Sequence, residues 1–226
     1  MRKPSHRSRA VLAVAAAAVL GVAGCDAVGG NSSGPTGTQA HRARPKAPVW
    51  DTSPSSVAAV GDSITRGFDA CTVLSDCPEV SWATGSSTEV DSLAVRLLGK
   101  AEAAERSWNY AVTGARMADL PGQVAQAATR RPQLVTVMVG ANDACRASTS
   151  AMTSVADFRA DFEDALADLR KALPKTQVYV ASVPNLKRLW SQGRTNPMGK
   201  QVWKLGICPS MLGDADALDS AAMLRR

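Results

Sequence analysis

Val57-Ala58-Ala59-Val60-Gly61-Asp62-Ser63-Ile64-Thr65 is the stretch that organises this chain. A short apolar run leads directly into a small-residue turn and then a hydroxyl. An α/β protein presents a nucleophile in this way, at the carboxyl end of a strand, where open parallel sheets place their ligands. Glycine permits the tight turn. The same residues also suit an ordinary strand-to-helix connection in which Asp62 or Ser63 caps the helix. The nine residues alone leave both readings open.

Working outward, further strands and helices alternate. Residues 90–106 carry apolar side chains at helical spacing, and Ser107 to Val112 is a short β-prone run closed by Thr113-Gly114. Met117 to Thr129 reads as a helix weakened near its start by Pro121 and Gly122. Gln133 to Val139, rich in β-branched residues and ended by Gly140, is the strongest strand. Ser154 to Asp157 resembles a capping box and opens a helix that stops at Pro174. Val178 to Val183 is a fourth strand, residues 184–213 read as irregular, and Ala215 to Arg226 reads as a helix. This alternation predicts a parallel sheet covered by helices on both faces. The apolar stripe with Phe158, Phe162, Leu166 and Leu169 is expected to pack on that sheet.

The N-terminus reads as an address. Arg2, Lys3, Arg7 and Arg9 precede an apolar run from Ala10 to Gly24, too short to span a membrane comfortably. Residues 1–25 therefore read as a secretory signal peptide. Its end, Val22-Ala23-Gly24-Cys25, is similar to a bacterial lipobox, which makes Cys25 a lipidation candidate and a membrane anchor. Residues 26–53 have the composition of a flexible tether, so the folded domain is expected over 54–226. An exported location follows, as a cell-surface lipoprotein or a secreted protein. The formal charge of +6 does not indicate nucleic-acid binding: residues 1–50 hold seven basic side chains against Asp26, and residues 51–226 are balanced.

Four cysteines remain, Cys71, Cys77, Cys145 and Cys208. An even number in an exported chain suggests disulfides. Three pairings are possible, and Cys71–Cys77 with Cys145–Cys208 is favoured because the first two are close in sequence. Zinc is disfavoured, since there is no CxxC and no nearby histidine, and no metal or cofactor is implied.

Three strand ends then meet at one edge of a parallel sheet: Gly61-Asp62-Ser63, Thr113-Gly114 and Gly140-Ala141-Asn142-Asp143. Ser63 can act as a nucleophile. The backbone N–H groups of Ser63 and Gly114 and the side-chain amide of Asn142 can form an oxyanion hole. Asp62 is expected to brace its turn, and Asp143 to be a site-edge or helix-capping residue. Trp82, Trp190 and Trp203 can line a pocket or simply fill the packing beneath long loops.

Gly61 to Gly67, Asn109 to Ala115 and Gly140 to Asp143 resemble, in order and spacing, the first three sequence blocks of the SGNH (GDSL-type) hydrolases. Gly67 to Gly85 looks like the secreted actinobacterial members in particular. The resemblance covers about residues 57–226. It implies a flavodoxin-like three-layer α/β/α sandwich, usually with five parallel strands, and hydrolysis of carboxylic esters. The substrate would be a small-molecule, lipid or glycan ester. No GxSxG elbow is present. The family draws its catalytic acid and histidine from a late Asp-x-x-His block, which these residues lack. The two histidines are His6, in the signal peptide, and His41, in the tether. The expectation is therefore a chain that stops short of that block and of the fifth strand. The alternative is a non-catalytic surface lipoprotein that binds an ester or glycan in the same cleft.

Overall fold

The computed structural model describes residues 49–216. The signal peptide, Cys25, most of the tether and the terminal helix expected from Ala215 onward lie largely outside these residues. The ordered elements run β1 (Val57–Gly61), α1 (Ser63–Arg66), α2 (Leu93–Leu98), α3 (Lys100–Arg106) and β2 (Ser107–Asn109). They continue with α4 (Leu120–Ala128), β3 (Leu134–Met138), α5 (Ala141–Ala144), α6 (Val155–Ala172) and β4 (Gln177–Val180). Three short helices follow, α7 (Leu186–Gly193), α8 (Pro197–Trp203) and α9 (Pro209–Leu212).

All four strands are parallel, in the order β2-β1-β3-β4. Ala58 and Val60 of β1 share one face with Val135 and Val137 of β3, because side chains alternate along a strand. That face packs on Leu120, Val124 and Ala127 of α4 and Ala165 and Leu169 of α6. Val57 and Leu134 point the other way, onto Ala94 of α2 and Ala103 of α3. The result is the expected three-layer α/β/α arrangement. Both faces of β1 are covered, so its sequence is a continuous apolar run with no polar alternation. Among the described residues β4 forms one edge of the sheet, with Tyr179 and Val180 half exposed.

Three local expectations need correction. The helix expected over 90–106 is two helices, broken where Gly99 adopts φ 81°. The helix expected from Met117 begins as a 3₁₀ turn over Met117–Asp119, and α4 proper starts at Leu120 with Pro121 in its first turn, where no N–H is required. The stretch 184–213 is largely helical. Asn185 and Asn196 cap α7 and α8, accepting N–H bonds from Arg188 and from Met198 and Gly199. These caps were readable as Asn followed by helix-compatible residues. The helices are too short to show apolar periodicity by themselves.

The cysteines pair as favoured, Cys71 with Cys77 and Cys145 with Cys208. The second bond ties α9 to the residue following α5. There Trp190, Cys208, Met211 and Leu212 form a small separate core, with Trp203 packed against it. Trp190 and Trp203 are thus structural, filling the space under the last helices. Trp82 is similar, its indole N–H donating to Thr65 Oγ1 at 3.3 Å.

Candidate active site

The turn after β1 depends on a backbone that only glycine supplies. Gly61 has φ 155°, and a Cβ there would lie 2.2 Å from the Met138 carbonyl oxygen of β3. Its peptide is held from the opposite side by Gln123 of α4, whose Oε1 accepts the Gly61 N–H at 2.7 Å while Nε2 donates to the Gly61 carbonyl at 2.9 Å. The chain then enters α1, with Asp62 as its N-cap and Ser63 as its first residue.

The capping reading of the turn is realised, and by Asp62 rather than Ser63. Asp62 does the capping: Oδ1 accepts the Ile64 N–H at 3.0 Å. Its carboxyl is fully buried, and Oδ2 has no hydrogen bond of good geometry. Burial raises the Asp62 pKa, and the nearby Asp143 carboxylate raises it further. The N–H groups of Ile64, Ala141 and Gly140 pull against that shift. Ser63 is left half-exposed. Neither its hydroxyl nor its N–H makes a hydrogen bond among the described residues, since the first N–H groups of a helix have no internal acceptor.

The chain after β2 reaches the same edge. Val112 N–H donates to the Gly61 carbonyl at 3.2 Å, so the segment continues alongside β1 before turning at Gly114. Gly114 is exposed, with φ 88° and open space where a Cβ would point. Its N–H also has no acceptor among the described residues. Asn142, in α5 beyond the end of β3, donates from Nδ2 to the Ala115 carbonyl at 2.9 Å. One amide hydrogen thus fixes the side chain against the Gly114-Ala115 turn, and the other is left for a further acceptor. Hydrogen bonds thus join the three segments at one edge of the sheet.

Asp143 turns away from this edge. It is buried, with Oδ2 accepting the Met117 N–H at 2.9 Å and Oδ1 the Thr153 hydroxyl at 2.7 Å. It caps the 3₁₀ turn that precedes α4, so its role is cross-bracing between segments. Gly140 lies beneath it, with φ 128° and the Phe158 ring of α6 about 3.1 Å from where a Cβ would sit.

Two supporting residues escaped the sequence reading. Gln123 falls in the apolar stripe Leu120, Val124, Ala127 of α4, and a polar residue in such a stripe signals a buried amide with backbone partners. Asp76 had no such signal. The Cys71–Cys77 loop carries it to the cleft, where it pairs with Arg66 of α1 at 3.1 Å and accepts the Thr113 hydroxyl. Asn109 adds a third tie, donating to the Thr65 carbonyl at 3.0 Å and to the Ser81 and Thr84 hydroxyls.

Two cavities border these segments. One of about 440 Å³ lies along Val112 to Ala115 against Gly122, Gln123 and Gln126. The other, apolar and about 320 Å³, lies between α6 and the end of β4 and reaches Gly140. Cys71, Cys77 and Glu79 bring ligand-type atoms within 4.8 Å of one another, but the two sulfurs are joined to each other and offer no thiolate.

Comparison with known proteins gives the family of the chain. The model of the GDSL-like lipase/acylhydrolase family matches residues 57–222, most of the chain. The chain belongs to that family. A solved structure of a Parabacteroides merdae protein designated a GDSL-like lipase is similar at 21% identity and a TM-score of 0.41. That match covers 55% of this chain and 57% of the other. No curated protein matches.

Proposed function

We propose that this family member is an exported serine hydrolase of carboxylic esters acting through an acyl-enzyme on Ser63. Ser63 Oγ attacks the acyl carbon, the alcohol leaves, and water later releases the acid and restores the serine. The N–H groups of Ser63 and Gly114 and the Asn142 amide hold the oxyanion of each tetrahedral intermediate. One observation carries the reading: the N–H groups of Ser63 and Gly114, which have no acceptor among the described residues, and the second amide hydrogen of Asn142 lie on segments joined at the sheet edge that presents the Ser63 hydroxyl. Each such donor is worth about 10²–10³ in rate.

A serine hydroxyl requires a neighbouring base. With only His6 and His41 in the sequence, we place that base and its orienting carboxylate outside residues 1–226. The positively charged, then apolar N-terminus and Cys25 support export and a lipid anchor, and the two disulfides fit an oxidising compartment.

A serine-reactive phosphonate should modify Ser63 in the full gene product, located by peptide mass spectrometry. Modification elsewhere, or undiminished esterase activity in Ser63→Ala, overturns the assignment. For residues 1–226 alone, turnover of a p-nitrophenyl ester should fall about 10⁴-fold or more below that of a complete hydrolase, because the general base is missing. The absence of a histidine among the described residues also supports a second reading, a surface lipoprotein that binds an ester or glycan without turning it over. An Asp-x-x-His encoded downstream of codon 226 favours the enzyme. Ligand binding without turnover by the full gene product favours the binder.

A further inference from the structure

The helices that follow β4 carry a surface that ester hydrolysis leaves unused. Between Pro184 and Gly213 there are five basic side chains, Lys187, Arg188, Arg194, Lys200 and Lys204, and no acidic one. Two of them are engaged: Arg194 lies over the Trp190 ring at 5.2 Å, and Lys200 pairs with Asp216 at 2.7 Å. Lys187, Arg188 and Lys204 are exposed and make no ion pair among the described residues. The next acids along the chain are Asp214 and Asp216. The Asp216 carboxyl is held below its ordinary pKa, first by Lys200 and more weakly by Arg194 and Lys204.

The same helices expose apolar side chains in a pattern. On α8 the inner side is set by Trp203, whose ring lies against Gly193 and the Trp190 core. Met198 and Val202, at i and i+4, share an outer face of α8, and Leu205 is exposed in the turn that follows it. The three are 72%, 38% and 79% exposed, and Ile207 and Leu189 of α7 are nearly half exposed. Single exposed apolar residues are ordinary, but a stripe of them flanked by lysine is not. A nucleic-acid surface would make no use of the stripe, and the groove of about 640 Å³ beside it, lined by Lys200, Trp203, Lys204 and residues 212–216, does not include Met198, Val202 or Leu205. A lipid interface uses both features, with apolar side chains entering the acyl boundary while lysine stems snorkel to the phosphates.

We propose that α7 and α8 form a docking face for an anionic lipid bilayer. On this reading Met198, Val202 and Leu205 insert, and Lys204, Lys187 and Arg188 meet lipid phosphates. The contact is separate from any lipid on Cys25 and does not depend on the ester-hydrolase reading.

Hydrogen–deuterium exchange of the chain with vesicles tests this locally, whatever the N-terminal segment binds. Phosphatidylcholine vesicles containing phosphatidylglycerol should slow exchange across residues 197–207, and pure phosphatidylcholine vesicles should not. Added salt should weaken the protection. Met198→Glu with Leu205→Glu should abolish it, as should Lys187→Gln, Arg188→Gln and Lys204→Gln together, with exchange in β1 and β3 unchanged in either variant. No slowing at 197–207, or equal slowing by both vesicle types, overturns the proposal. Concentration-dependent protection of 197–207 before vesicles are added does so too, because a second copy would then be the occupant.

Discussion

Gln123 closes a two-point clamp on Gly61, accepting its N–H at 2.7 Å and donating to its carbonyl at 2.9 Å. The glycine sits where β1 must stop being a strand, and a helix on the covered face of the sheet supplies the missing backbone partners. Gln123→Leu is nearly isosteric but leaves the Gly61 N–H unsatisfied in a buried place, while the Gly61 carbonyl keeps the Val112 N–H. A loss of about 1–3 kcal/mol in stability is expected from the orphaned N–H. Urea midpoints of the variant and the parent measure it. A difference under about 1 kcal/mol would mean that water replaces the clamp.

Asp62 makes stability depend on pH. Burial raises its pKa in the folded state above the ordinary aspartate value. The folded protein therefore binds this proton more tightly than the unfolded chain. The resulting contribution is fully present below the unfolded value and is lost as pH rises through the folded value. Asp62→Asn keeps a capping oxygen and removes the titration. From about pH 4 upward, the parent should lose stability relative to the variant, as read from urea midpoints at successive pH values. Parallel curves would show that Gly140 and Ala141 N–H groups fully offset the burial.

Asp143 holds two donors from segments distant in sequence, the Met117 N–H and the Thr153 hydroxyl. Asp143→Ala should destabilise by about 1.5–3 kcal/mol, as expected for a hydrogen bond to a charged acceptor. The Met117 amide should also lose protection from hydrogen exchange. Retained protection at Met117 would assign the brace to other contacts.

The Cys145–Cys208 bond closes a loop of sequence separation 63. On loop-closure entropy it contributes about 4 kcal/mol. Replacing both cysteines with serine should lower the melting temperature and release the Trp190–Met211–Leu212 core first, visible as a change in tryptophan emission before loss of far-ultraviolet ellipticity. The Cys71–Cys77 loop, with separation 6, should contribute about 2 kcal/mol by the same account.

The sequence by itself determined the order of strands and helices, because a buried parallel strand must be largely apolar on both faces, and Val57 to Val60 and, apart from Thr136, Leu134 to Val139 are. It also determined which residues could do chemistry. Ser63, Gly114 and Asn142 each follow a strand, and parallel strands bring their ends to one edge. Local hydrogen-bond pattern was readable where one residue serves its own neighbours, as in the Ser154 cap of α6.

Only the tertiary structure decided the division of labour at the first turn. Whether Asp62 or Ser63 caps depends on which side chain is buried beneath Gly140, and burial is a property of packing. The partners of Gln123, Asp76 and Asp143 lie 62, 37 and 26 residues away in sequence at Gly61, Thr113 and Met117. No local pattern encodes such pairs. The helices α7 and α8 were hidden for a related reason: they are too short to be stable or periodic alone, and they exist because Trp190 and Trp203 pack on a core that Cys208 closes from a distance.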